Sequence, residues 1–250
     1  MTEANPKSAP LIIAGATGYV RWPANSLEGA RRCLAEPIDG LEIDVQMTAD
    51  GHVVAHHDYH LNRHATRLNG QWLEARGPAL QALSLAQLQA YDVGALRPGS
   101  DPATRYPHLQ PQDGVRVPTL ASLLEALAGA GEPKRLIYVE IKTDPQTPGV
   151  GPDPGEVTAA VIAAVEAADW VAQTKIIAFD WRVLRLAQAR NRRIATAHLT
   201  IPAALSGSVR PLDSGDSPGP TAATRAVTAA PTWRRSRPTA AWNGRPISPR

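Results

Sequence analysis

Short apolar runs separated by stretches of helical period recur through residues 11–200, and this alternation narrows the fold more than any other feature of the chain. Six runs are predicted as strands, at 11–14, 41–46, 53–57, 136–142, 175–179 and 194–199. They are short and mostly rich in Ile and Val, as strands buried on both faces are. Between them the apolar residues return at three- and four-residue spacing. Asn25 or Ser26 can cap a helix reaching about Leu34, Ser84 one reaching Tyr91, and Thr119 one that carries Leu120, Leu123, Leu124 and Leu127. Two more helices are predicted over 156–171 and 181–190, with Asp180 placed to cap the second. Strand and helix in alternation predict βα units on a parallel sheet. The interval 60–117 is too long for an ordinary βα connection, and its Gly, Pro and Asp clusters predict a surface excursion, part of it suited to a lid.

A chain of 250 residues with 43% apolar content can bury a core without covalent staples. Its single cysteine, Cys33, excludes a disulfide scaffold and fits a reducing compartment; on an amphipathic helix it is expected in the core. Residues 1–10 are polar and expected to be flexible, and no stretch approaches the ~18–20 apolar residues of a bilayer span. These features predict a soluble, cytoplasmic protein. The net charge of +3 is unevenly placed: residues 201–250 hold seven arginines, no lysine and two aspartates, so they carry +5 and the remainder −2. No basic stripe interleaved with aromatics lies in the body, so nucleic acid is not an expected partner. The same segment has eight of the 23 prolines and no sustained period. It is expected to be a disordered tail, either a genuine extension or an out-of-frame reading, behind a folded domain at 11–200.

The chemistry concentrates on two strands. In Glu42-Ile43-Asp44 the alternation of a strand turns both carboxylates to one face and Leu41, Ile43 and Val45 to the other. Two like charges on one face need a counter-charge, supplied by a hard divalent cation or by Lys and Arg. Glu140-Ile141-Lys142 repeats the geometry, so Glu140 can add a third carboxylate while Lys142 stands ready to neutralise a phosphoryl oxygen. Five of the seven histidines, His52, His56, His57, His60 and His64, fall within thirteen residues. On a strand His56 and His57 face opposite ways, so one of them can meet the carboxylates as a general acid or base. His60 and His64 have the spacing of a helical zinc pair but stand in an apparent loop. Gly15-Ala16-Thr17-Gly18 lacks the Gly-Lys-Ser of a phosphate cradle and reads as a plain loop.

Taken in order, Glu42-Ile-Asp44-Val-Gln46, Thr48-Ala-Asp50-Gly51, Val53-Val54, His57-Asp58, Pro118-Thr119-Leu120, Glu140-Ile-Lys142 and Phe179-Asp180-Trp181 resemble the glycerophosphodiester phosphodiesterase family. The resemblance runs from about residue 11 to residue 200. It implies a TIM-type (β/α)₈ barrel, with catalytic groups at the C-terminal ends of the strands. It also implies metal-dependent hydrolysis of a small-molecule glycerophosphodiester to an alcohol and glycerol 3-phosphate, a step in glycerophospholipid metabolism. By position, Glu42, Asp44 and Glu140 resemble the ligands of a divalent cation, Mg²⁺ or Ca²⁺. His57 resembles one of two catalytic histidines, and Lys142 the basic residue at the phosphate. Two departures accompany these matches. The family's first strand ends in His-Arg-Gly and is followed by Pro-Glu-Asn-Thr; here the chain reads Ile13-Ala14-Gly15-Ala16-Thr17-Gly18 and then Pro23-Ala24-Asn25-Ser26. Six predicted strands are also two short of eight, which implies an incomplete barrel. The departures point to an alternative, a relative that keeps the cation site with impaired turnover.

Overall fold

The structure, a computed structural model, describes residues 10–129, 135–144, 147 and 149–200. The expected flexible N-terminus, residue 10 apart, and the expected tail at 201–250 lie outside the described residues. Strand β1 (Ile13–Ala14) runs through a tight 3₁₀ turn into α1 (Leu27–Leu34), followed by β2 (Gly40–Met47) and β3 (Val53–Ala55). The excursion then contributes β4 (Arg67–Leu68), β5 (Gln71–Trp72), α2 (Leu85–Leu88), β6 (Tyr91–Asp92) and α3 (Asp101–Arg105). Regular βα alternation resumes with α4 (Leu120–Ala128), β7 (Leu136–Ile141), α5 (Pro154–Ala167), β8 (Thr174–Ala178), α6 (Trp181–Arg190) and β9 (Ala195–His198).

Five strands, in the order β1-β2-β7-β8-β9, pair in parallel. The remaining predicted strand belongs to the same sheet but runs the other way: β3 pairs antiparallel with β2, Val45 opposite Ala55. Connection length explains the difference, because a parallel crossover needs about a dozen residues and only 48–52 separate the two strands. That segment closes as a hairpin turn. The Thr48 N–H donates to the His52 carbonyl at 3.0 Å, and Gly51 takes a left-handed φ of 81°.

Helices α1, α4, α5 and α6 lie side by side against one face of the sheet. Leu41, Ile43, Val45, Ile137, Val139 and Ile176 point into that layer with at most 0% exposure. Burying each such side chain stabilises the fold by about 1.5–3 kcal/mol, which pins the register of β2 and β7. Close approach of the two strands also depends on Gly40, where a Cβ would collide with the Leu136 carbonyl oxygen. The helix starts are set by predicted caps. Ser26 accepts from Gly29 N at 2.9 Å, Thr119 from Ser122 N at 3.1 Å and Asp180 from Arg182 N at 3.0 Å, each worth about 1 kcal/mol. Cys33 is buried as expected, its thiol on the Thr17 carbonyl.

The excursion is more ordered than its composition suggests. Strands β5-β4-β6 form a small antiparallel sheet, and Val54, Leu61, Leu80, Leu88 and Val117 make a second core beneath it. The helix expected from Ser84 to Tyr91 stops at Leu88, because Tyr91 joins β6 opposite Leu68. Among the described residues no helix is long and apolar enough to cross a membrane.

Candidate active site

The face of β2 opposite the helices carries Glu42, Asp44 and Gln46. The parallel register sets Asp44 directly beside Glu140 and Glu42 beside Tyr138. Paired residues on neighbouring strands share a face, so the three acids converge: one oxygen from each of Glu42, Asp44 and Glu140 lies within 4.8 Å of the others. Lys142 stands one residue past the end of β7. Its Nζ is 2.9 Å from Asp44 Oδ1 and also contacts Glu140 Oε1. The mouth thus brings together four of the five predicted site residues in direct contact or near it.

The fifth, His57, arrives differently from the expectation. Both His56 and His57 lie beyond Ala55, the last residue of β3, so strand alternation does not orient them. The His57 side chain is 45% exposed, and its Nδ1 is 2.8 Å from Asp58 Oδ1. It stands close enough to Asp44, Glu140 and Lys142 to enter their electrostatics. His56 has a buried Nε2 without a hydrogen-bond partner and lies within electrostatic reach of Asp58 and Asp44. Burial holds the His56 imidazole below its ordinary pKa, which keeps it neutral.

Burial and mutual repulsion govern the acids. Desolvation, then the charge of Asp44, pushes the Glu42 carboxyl up to about 8. Desolvation also raises Glu140. For Asp44 burial works in the same direction but is outweighed by Lys142 and His57, which hold it below the usual carboxylate range. The Lys142 ammonium is raised: burial opposes its charge, and Asp44 and Glu140 more than compensate. At His57 burial is likewise outweighed, here by the hydrogen bond to Asp58, and the imidazole pKa is raised.

Several supports had no role assigned from the sequence. Asn25, read there only as a possible cap, is 3% exposed and binds Asp44 twice. Its Nδ2 donates to Asp44 Oδ2 at 2.9 Å, and its Oδ1 accepts from Asp44 N at 3.1 Å. Asn25 holds a left-handed φ of 50°, which asparagine tolerates better than most residues. Gln46 Nε2 donates to the carbonyls of His56, His57 and Asp58. The signal for Gln46 was its place four residues after Glu42 on one strand; nothing in the sequence announced the loop it binds. In the turn at Gly15–Thr17 that follows β1, Ala16 and Thr17 are left-handed, and the Ala16 N–H donates to Glu42 Oε2 at 2.7 Å.

The donor set fits a divalent cation. Three carboxylates face one ammonium, and Glu42 Oε1 is buried without a hydrogen-bond partner, an oxygen with a lone pair left to offer. Among the described residues this is the one group of three or more His, Cys, Asp and Glu side chains placed to hold a metal. His60 and His64 do not assemble a zinc site: His60 bridges to Ala79 through its backbone, and His64 Nε2 accepts from Arg63 Nε at 3.1 Å. Asp180, beyond β8, caps α6 and accepts from Thr143 Oγ1 at 2.8 Å.

Comparison with known proteins gives the family and the fold. The model of the glycerophosphoryl diester phosphodiesterase family matches residues 15–217. A glycerophosphodiester phosphodiesterase from Caldanaerobacter subterraneus subsp. tengcongensis is 29% identical over 133 residues, 53% of this chain and 45% of that protein. The match thus spans less than half of that relative's length. A solved structure from Silicibacter pomeroyi, assigned as a glycerophosphoryl diester phosphodiesterase, superposes with a TM-score of 0.72 at 30% identity, covering 78% of this chain and 67% of that one. A phosphodiesterase from Oleispira antarctica, solved in complex with the product sn-glycerol-3-phosphate, shares the fold with a TM-score of 0.56 at 24% identity, covering 79% and 70%. The TIM-type barrel of these neighbours accounts for the parallel strands with helices on one face, and the matched span contains every acid, the lysine and the histidine of the mouth. The chain belongs to the glycerophosphoryl diester phosphodiesterase family.

Proposed function

We propose that the chain hydrolyses glycerophosphodiesters to an alcohol and glycerol 3-phosphate with the help of a divalent cation, Mg²⁺ or Ca²⁺, and that residues 11–200 carry this activity in the cytoplasm. The observation that carries the reading is the convergence of Glu42, Asp44 and Glu140 within 4.8 Å, with Lys142 against two of them and His57 beside them. Glu42, Asp44 and Glu140 would hold the cation, which supplies Lewis-acid stabilisation of charge developing on the phosphoryl oxygens.

The remaining work falls to the chain's own groups. Lys142, held charged by its two acidic neighbours, donates to a non-bridging phosphoryl oxygen and orients the diester. An ionised Asp58 accepts the Nδ1 proton of His57, so Nε2 is the nitrogen that gives or takes a proton at the scissile bond. Water oxygen adds to phosphorus and gives up a proton, the bond from phosphorus to the alcohol oxygen breaks, and the departing oxygen takes a proton, so one proton passes from water to the alcohol with His57 Nε2 serving one of the two transfers. Asn25 keeps Asp44 turned toward the mouth. The reading is tested by release of glycerol 3-phosphate from glycerophosphocholine by the full chain, which EDTA should abolish and His57→Ala should lower by ~10²–10⁴.

A second reading is favoured by the turn at Gly15–Thr17, which offers a backbone N–H where the family pattern has a histidine and an arginine. Loss of one general acid or base lowers the rate by ~10²–10⁴. In this reading the chain binds the cation with turnover reduced by that factor, and calorimetry would record Mg²⁺ or Ca²⁺ binding without measurable hydrolysis.

A further inference from the structure

We infer that Gln46 is a positioning residue for His57: its side-chain amide locks the three-residue segment that carries the histidine to the strand that carries the acids. The observation is one buried donor serving three consecutive carbonyls. Gln46 is 1% exposed, and its Nε2 lies 3.3 Å from the His56 carbonyl oxygen, 3.2 Å from that of His57 and 2.6 Å from that of Asp58. An amide nitrogen has two hydrogens, so the bonds are shared, with Asp58 taking the shortest. The opposite amide orientation would press an oxygen against three oxygens, which fixes the assignment.

This contact matters because nothing regular holds the segment. Strand β3 ends at Ala55, and the His56 N–H donates to the Asp44 carbonyl at 3.0 Å as the last backbone bond to β2. Beyond it, Gln46 is the tie from β2 to residues 57 and 58. Glu42, Asp44 and Gln46 alternate along one strand face, so a single rigid element sets two acids and the backbone height of the histidine together. Asp58 completes the arrangement: its Oδ1 accepts from His57 Nδ1 at 2.8 Å and its Oδ2 from Asn62 Nδ2 at 3.1 Å. With both carboxylate oxygens occupied and the backbone clamped by Gln46, the neutral His57 ring is held in one tautomer, protonated at Nδ1, with Nε2 left to exchange a proton.

The inference rests on the proposed role of His57, and its test separates the two. Imidazole ¹⁵N–¹H correlation spectra of the full chain and of Gln46→Met, Gln46→His and His57→Ala identify the His57 ring and report its tautomer whether or not the chain turns over. At a pH high enough to deprotonate the ring, the wild type should show the Nδ1-protonated neutral form alone. Gln46→Met, which removes the donors at similar volume, should give a tautomer mixture and lower kcat at least ~10-fold while KM for glycerophosphocholine stays within about threefold. Gln46→His, which keeps an N–H donor, should recover the single tautomer and most of the rate. Mg²⁺ affinity, read by calorimetry, should stay within about threefold in both variants. A single tautomer persisting in Gln46→Met overturns the inference. So does a parallel loss of Mg²⁺ affinity, because the amide would then support the whole mouth instead of the histidine. A wild type that binds Mg²⁺ but does not turn over refutes the catalytic reading, and the spectra still decide the role of Gln46.

Discussion

The two sides of the mouth are built by different means. On the β2–β7 side the acids are fixed by strand register: Asp44 lies beside Glu140 because Leu41, Ile43, Val45, Ile137 and Val139 are locked into the helix layer behind them. On the β1 side, where the family pattern carries its first histidine and arginine, a left-handed turn at Ala16 and Thr17 supplies a single backbone N–H to Glu42. The contrast separates cation binding from turnover. On the proposed reading, a ligand set fixed by register would survive changes in loops, whereas a proton-transfer group carried on a turn would be lost with them.

The sharpest way to break this comparison is to remove a residue held by register. Asp44→Ala should abolish saturable Mg²⁺ binding and all cation-dependent hydrolysis, as read by calorimetry and by glycerol 3-phosphate release, since Asp44 also anchors Lys142 and Asn25. A loop-held group should behave otherwise. His57→Ala is expected to lower kcat by ~10²–10⁴ with Mg²⁺ affinity unchanged within about twofold, a split measured by kinetics and calorimetry on one preparation. A support behind the rigid side should fall between the two. Asn25→Ala leaves Asp44 without its amide donor, and Mg²⁺ should bind ~10–100-fold more weakly in a titration.

The smallest expected effect is on pH dependence without added cation. Glu42 holds its proton more tightly in the folded chain than in the unfolded one, its carboxyl pushed up to about 8 by burial and by Asp44. Its contribution to stability is therefore complete below the ordinary carboxyl range and is lost as the pH rises through about 8. Thermal unfolding in EDTA should show a melting temperature that falls as the pH rises from the ordinary carboxyl range to about 8 and levels off above it, and Glu42→Gln should flatten the slope over that interval.

Much of this was legible in the sequence because periodicity and burial agree. The Glu-x-Asp and Glu-x-Lys pairs could be assigned to one face each, since alternation along a strand follows from backbone geometry, and Ser26, Thr119 and Asp180 announced the helix starts through capping chemistry. The direction of β3 follows from the five-residue connection at 48–52, too short for a parallel crossover; the apolar run alone has no polarity, and the expectation of an all-parallel sheet overlooked the connection. The contacts of Gln46 and Asn25 were not legible. Both depend on irregular backbone, the stretch after Ala55 and the left-handed residue before α1, whose course tertiary packing sets. His57 was found through its motif, but its orientation by Asp58 belongs to the same irregular stretch.

The central claim is that Glu42, Asp44 and Glu140 together hold a divalent cation. Crystals of the full chain grown with Mn²⁺ and measured at the manganese absorption edge test it most directly. One anomalous peak within ligating distance of an oxygen from each of the three carboxylates is the predicted result. A peak bound elsewhere, or a fully occupied Lys142 ammonium with no peak among the three acids at saturating Mn²⁺, would contradict it.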